Sequence, residues 1–262
     1  MFAAENSQYM ADQTEAASFE QVAPDPDGAP TLIEGLPGHG LVAAIAVDLI
    51  TDQLGLEHYG NVASENFPPV TTFENGIVQD LVRVYTGNDP AVMTLESDLA
   101  LPQPAFEPLS KCVLSDLADE FDRAIFLAGA PAESEEQVGE VSGVGTTEPI
   151  KAELVDAGIS VPEEPGLVGG ITGALVRECY QADVPAALLI VRSHPFLPDP
   201  QAAKSVIETA LEPLVEFDVD TTALDEQADE IQQRMQQVAE QYQQMAEEQQ
   251  QPQQQPQTGM FQ

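Results

Sequence analysis

Tryptophan is absent from these 262 residues, cysteine occurs twice, and Lys plus Arg number 8 against 45 Asp plus Glu. Each shortage excludes something. Cys112 and Cys179 stand alone without a C-x-x-C partner, so neither a zinc-thiolate site nor a redox pair is expected, and both read as buried thiols. Only Lys111, Lys151 and Lys204 are lysines, and no basic stripe exists to displace counterions from phosphates, which argues against nucleic acid as a partner. The apolar runs Leu41–Ile50 and Pro185–Val191 are too short or too interrupted to cross a bilayer, so no membrane association is expected. The first 30 residues carry six acidic residues and no basic one, unlike a secretory signal, which predicts a cytoplasmic protein.

What remains is dominated by acid. A formal net charge of −37 makes a compact state self-repelling at low ionic strength, and such a surface suits concentrated salt, where screening is short-ranged. The composition therefore predicts a halophilic protein. Its length suits one substantial core with tails. The expected division is a flexible N-terminus over 1–13, an α/β domain over 14–220, a C-terminal helix over 221–247 and a disordered Gln/Pro tail over 248–262.

Thr31–Glu34 reads as a strand ending in the turn Gly35-Leu36-Pro37-Gly38-His39-Gly40, followed by an apolar helix from about Leu41 to Leu54. Asn75-Gly76, between β-rich runs, predicts a tight hairpin. Ala91–Glu96 and Ala124–Leu127 read as buried strands flanking a helix from about Ala105 to Phe121. Glu140–Thr146 is expected as a strand and Thr147–Ala157 as a helix capped by Thr146 or Thr147. A second glycine cluster, Gly166–Gly173, leads into a helix over Ala174–Gln181, with Thr172 available as a cap. Ala186–Val191 reads as a buried strand, and Asp199-Pro200 opens a helix to about Val215, Asp as N-cap and Pro at the first helical position. The alternation predicts a three-layer α/β/α sandwich around a mainly parallel sheet.

The last helix differs in kind. Leu224, Ala228, Ile231, Met235, Val238, Tyr242 and Met245 recur at steps of four and three, a heptad seam that either packs on its own domain or pairs with a helix of another subunit. From Gln249 to Gln257 every residue is Gln or Pro, which cannot bury enough apolar surface to fold. At the end sit Met260-Phe261-Gln262. An apolar pair on a polar tether is expected to dock elsewhere, Phe261 filling a pocket, Met260 packing beside it and the carboxylate of Gln262 meeting a basic group.

Other candidate sites carry less chemistry. The first glycine turn could present N–H groups to an anion, but it lacks the P-loop Lys-Ser/Thr and the dinucleotide spacing, and Glu34 beside it would repel phosphate. Both glycine clusters therefore read as close packing. His39, His58 and His194 show no metal-ligand spacing, so no metal and no cofactor are expected. Gly38, His39, Gly40, Arg192, His194 and Asp199 lie where α/β enzymes place their chemistry, at the carboxyl ends of strands, and form a candidate ligand pocket. No nucleophile elbow or spaced acid/base pair accompanies them, so catalysis is not expected.

Taken together, Leu32-Ile33-Glu34-Gly35-Leu36-Pro37-Gly38-His39-Gly40-Leu41-Val42, Phe67-Pro68-Pro69-Val70, Gly170-Ile171-Thr172-Gly173 and Pro198-Asp199-Pro200-Gln201-Ala202-Ala203 resemble the archaeal proteasome assembly chaperone family, from about Thr14 to Met245. His39 departs from the apolar residue expected between the two glycines. The resemblance implies a fold similar to nucleoside phosphorylases without their catalysis, homo-oligomers, and binding to proteasome core α subunits. Met260-Phe261-Gln262 is similar to the hydrophobic-tyrosine-any terminus by which proteasome activators and some archaeal assembly chaperones dock, with Phe261 in the tyrosine's place. The expected function is an ATP-independent proteasome assembly chaperone or adaptor. The alternatives are an enzyme of nucleoside-phosphorylase or hydrolase type using His39, Arg192, His194 and Asp199, and a scaffold whose seam helix recruits a different protein.

Overall fold

Strand alternation organises the core, as the segment Thr31–Gly35 illustrates: every residue is buried, and Leu32 and Ile33 enter different apolar clusters on opposite faces. The computed structural model describes residues 16–26, 28–195 and 197–250, with side chains described through residue 237. In chain order the elements are β1 (Ala17–Gln21), β2 (Thr31–Gly35), α1 (Val42–Leu54), β3 (Glu57–Ser64), β4 (Thr72–Glu74), β5 (Ile77–Gln79), β6 (Val82–Asn88), β7 (Ala91–Ser97), α2 (Phe106–Cys112), β8 (Arg123–Pro131), β9 (Val141–Gly145), α3 (Glu148–Asp156), α4 (Gly170–Gln181), β10 (Ala186–Ser193), α5 (Pro200–Val206), α6 (Glu212–Val215) and α7 (Thr222–Gln250). Wider π-turns extend α2 over Val113–Leu117 and join α5 to α6 over Ile207–Leu211.

Eight strands form one sheet in the order β1-β3-β6-β7-β2-β8-β10-β9, and β4 and β5 form a separate two-stranded sheet. Among the described residues parallel ladders join only β7, β2, β8 and β10. The flanks are antiparallel, which corrects the expectation of a mainly parallel sheet. Connectivity explains the difference. β6 and β7 are joined by the short Asp89-Pro90 turn, and so tight a link permits only antiparallel pairing, whereas the helical crossovers at the centre permit parallel pairing.

Helices cover both faces. On one, Ile33, Ile50, Ile125, Leu189 and Val206 pack with residues of α1, α3, α5 and α6. On the other, Leu32, Phe126, Leu109 and Leu175 join β-sheet to α2 and α4. Cys112 and Cys179 belong to this second core as buried residues outside any disulfide, and burial pushes the Cys179 thiol up to about 12.

Local signals set the element ends. Asn75 and Gly76 both take positive φ in the β4–β5 turn. Thr147 accepts from Ile150 N and caps α3, and Asp199 Oδ1 accepts from Ala202 N at 3.0 Å and caps α5. Thr172 is not a cap: α4 starts at Gly170, with Gly169 at the N-cap and no side-chain bond there. At the far end Leu224 is buried in the first core, and Asp225 accepts from Gln201 Nε2 (3.1 Å) and Lys204 Nζ (2.7 Å) of α5. Farther along the seam, Ala228 and Ile231 are half-buried and Met235 is exposed. Val238, Tyr242 and Met245 lie beyond the described side chains. Among the described residues no helix is long and apolar enough to cross a membrane.

Candidate functional site

The carboxyl ends of β8 and β10, the loop after β2, the 162–169 segment and the starts of α2 and α4 enclose a cleft of about 1050 Å³. A crevice at strand carboxyl ends is where open α/β sheets commonly receive ligands. This one is largely apolar, with Leu101, Phe106, Val168, Val176 and Ile190 in its walls. Leu167 and Tyr180 stand on it 94% and 66% exposed. Its charged lining residues are Arg177, Arg192 and Glu164.

Glu34 holds the walls together from behind. Its carboxyl is fully buried and accepts from Leu36 N at 3.1 Å and Leu127 N at 3.3 Å, while Thr172 Oγ1 donates to it from α4 at 3.3 Å. Desolvation raises its pKa to about 8, overriding these three donors, which favour the ionised form. Below that pH the group is a neutral acid, and the expected repulsion of phosphate at the glycine turn does not arise.

The six residues of the expected ligand pocket are only partly brought together there. Gly38, His39 and Arg192 line the cleft, whereas Gly40, His194 and Asp199 do not. Asp199 is occupied structurally: besides capping α5 it accepts from His194 N at 2.6 Å, and its own N–H donates to Gly40 O at 2.9 Å. Arg192 Nη1 donates to Pro131 O at 3.0 Å. Gly129 lets the first glycine turn lie on β8, since a Cβ there would stand 2.0 Å from His39 O. His39 Nε2 and Ser193 Oγ are buried without a hydrogen-bond partner. His58 lies elsewhere, on β3, sharing a 2.8 Å contact with Asn61 Oδ1. Among the described residues no group of three or more His, Cys, Asp or Glu is placed to hold a metal ion. Close packing accounts for only part of the two glycine clusters: a Cβ at Gly35, Gly40 or Gly173 would stand 2.6 Å from Val47 Cβ, 2.6 Å from Ser193 Oγ or 2.4 Å from Val168 O, whereas Gly38, Gly166, Gly169 and Gly170 have open space there. Met260, Phe261 and Gln262 lie outside the described residues.

A second region carries no motif that marks it as a site. The β4–β5 hairpin carries Phe73, Ile77 and Val78 at 74%, 71% and 70% exposure. Arg83 anchors its root, forking onto Asp98 at 2.7 and 2.9 Å and donating to Asp80 O at 2.8 Å. Beneath it lies an acidic pocket of about 610 Å³ lined by Asp48, Asp52, Glu96 and Asp98. Burial raises the Glu96 pKa there, against Thr51 and Thr94, whose side chains bond its carboxyl. The only signal in the sequence was the apolar run around Asn75-Gly76, which announces a turn but not its exposure.

Three relatives place this geometry. The crystal structure of Pyrococcus furiosus PbaA, described as an archaeal homolog of proteasome-assembly chaperone, superposes with a TM-score of 0.77 at 26% identity, covering 88% of this chain and 95% of that one. The fold is shared by Pyrococcus furiosus PbaB, described as an archaeal proteasome activator, with a TM-score of 0.75 at 21% identity over 86% and 100% of the two chains. An uncharacterized protein of Methanocaldococcus jannaschii is 27% identical over 206 residues, 78% of this chain and 82% of its own. Residues 32–239 match the PAC2 family model, which spans both glycine clusters, the cleft and the hairpin, and the protein belongs to the PAC2 family.

Proposed function

We propose that this chain is an ATP-independent proteasome assembly chaperone or adaptor of a high-salt cytoplasm. It works as a homo-oligomer that engages α subunits of the core particle through Met260, Phe261 and Gln262. The reading is carried by the PAC2 match together with the 26% identity to PbaA across most of both chains. The site chemistry supports it. The cleft offers apolar surface for gripping a protein, and Asp199, one of the four residues of the enzymatic alternative, is held by a helix cap and a loop amide. On this reading the nucleoside-phosphorylase-like sandwich serves as a platform and not as a catalyst. The exposed Met235 supports a seam helix free to pair with another helix. Several tails on one oligomer gain avidity from effective concentration.

The test is recovery of core particles by the full chain in molar salt, beside the same chain without residues 260–262. Full-length protein is expected to retain core particles and the truncated chain to lose them. Equal recovery removes the tail from the mechanism, and no recovery by the full chain removes the proteasome.

A further inference from the structure

We propose that copies of this chain join head to tail, the β4–β5 arm of one seated in the cleft of the next. The inference rests on the oligomeric reading above and assigns its surfaces. An isolated two-stranded hairpin is marginal in water, and this one belongs to no larger sheet. Its polar groups are served internally, Thr72 Oγ1 donating to Gln79 O at 3.1 Å and Gln79 Nε2 to Glu74 Oε2 at 2.8 Å. The apolar groups are not. Phe73 and Val78 are cross-strand partners on one face, and Ile77 sits opposite Glu74 on the other, so both faces present apolar side chains to water. The cleft is the concave counterpart, with Leu167 and Tyr180 equally uncovered.

Charge selects the occupant. In a chain of 45 acids and 8 bases, two arginines and a single glutamate line the cleft, although Arg177 also holds Glu178 at 2.7 Å. The arm supplies the opposite sign: it carries Glu74, Asp80 follows it, and no Lys or Arg occurs from residue 65 to 82. Complementary potentials of this kind set register and exclude wrong partners. The arm overlies the pocket beside α1, whereas the cleft opens between α2 and α4, and the two linings share no residue. One copy can therefore give its arm and receive another at once. Such a heterologous contact closes into a ring when its rotation permits.

The test uses the full chain in molar salt, with mass read by light scattering and folding by urea midpoint. Phe73→Asp/Ile77→Asp removes the arm and Leu167→Asp/Tyr180→Asp removes the cleft, all at exposed positions. Each variant alone is expected to be monomeric and cooperatively folded, with a midpoint lowered only by the lost association and independent of protein concentration. An equal mixture of the two is expected to form a one-to-one dimer and stop there, because one copy retains the cleft and the other the arm. Independently, Val78→Cys/Leu167→Cys is expected to give a ladder of intermolecular disulfides on oxidation, both native thiols being buried. An oligomeric wild type with an arm variant of the same mass, a mixture that stays monomeric, or no ladder overturns the pairing. Arm variants that stay oligomeric but lose core-particle recovery give the arm to the proteasome instead. A monomeric wild type overturns the oligomeric reading, and the pairing with it.

Discussion

The two faces of the sheet differ in how far packing is completed. Over α1, α3 and α5 the apolar side chains of β2, β8 and β10 are covered to the ends of the strands, and Val191 is still fully buried. Over α2 and α4 the cover stops early: Ile190 is half-buried where it lines the cleft, and Leu167 and Tyr180 are left in water. One face spends its apolar surface on stability and the other withholds some. The uncovered side chains come from the segment before α4, which carries Leu167, and from the last turn of α4, which carries Tyr180.

The contrast can be broken most directly by truncating one leucine on each face. Leu189→Ala removes a fully buried side chain from the closed face and should cost about 2–5 kcal/mol in urea unfolding. Leu167→Ala should change stability by less than about 0.5 kcal/mol. Equal losses would mean that the cleft is part of the core. A smaller effect comes from Glu34, which ties α4 to β2 and β8 on the open face. Its folded pKa of about 8 lies above the ordinary carboxyl value of 4.5, so its contribution is fully present below pH 4.5 and is lost as pH rises through 8. Unfolding free energy measured from pH 5 to 9 in molar salt should therefore decline in the wild type relative to Glu34→Gln, by on the order of a few kcal/mol. Parallel profiles would show that burial does not hold the proton. Smallest is a backbone effect at the closing residue of α6, where Glu216 takes a left-handed conformation with φ of 59°. Glu216→Gly should raise the melting temperature through a gain of about 0.5–1 kcal/mol. Asp183→Gly, after α4 on the open face, should gain almost nothing, because Asp tolerates that region.

What could be read from the sequence was local. Asp199-Pro200, Thr147 and Asn75-Gly76 act within a few residues of themselves, and each structures the backbone as its chemistry demands. β1 and β3 escaped because their strand character comes from each other. Phe19 lies opposite Val62, and Gly60, a poor strand former, is needed because a Cβ there would stand 2.2 Å from the Phe19 ring. The mainly parallel sheet was an extrapolation from its four central strands. Glu34 misled for the same reason of distance: beside glycines it looks like an exposed anion, and Thr172, which helps bury it, is 138 residues away. The cleft was legible in part, since His39 follows β2 and Arg192 lies at the carboxyl end of β10, but its apolar character depends on Leu167 and Tyr180, which belong to no motif.

α7 sets a length scale for the molecule. From Leu224, fixed in the core, to Gln250 the helix advances about 40 Å at 1.5 Å per residue. The extent of this rod is written in residue count, and removing seven residues would shorten it by about 10 Å while nearly preserving its rotational phase. The distance from the sandwich to the far end of α7 is thus adjustable in steps of about two helical turns, without altering a side chain of the sheet or the cleft.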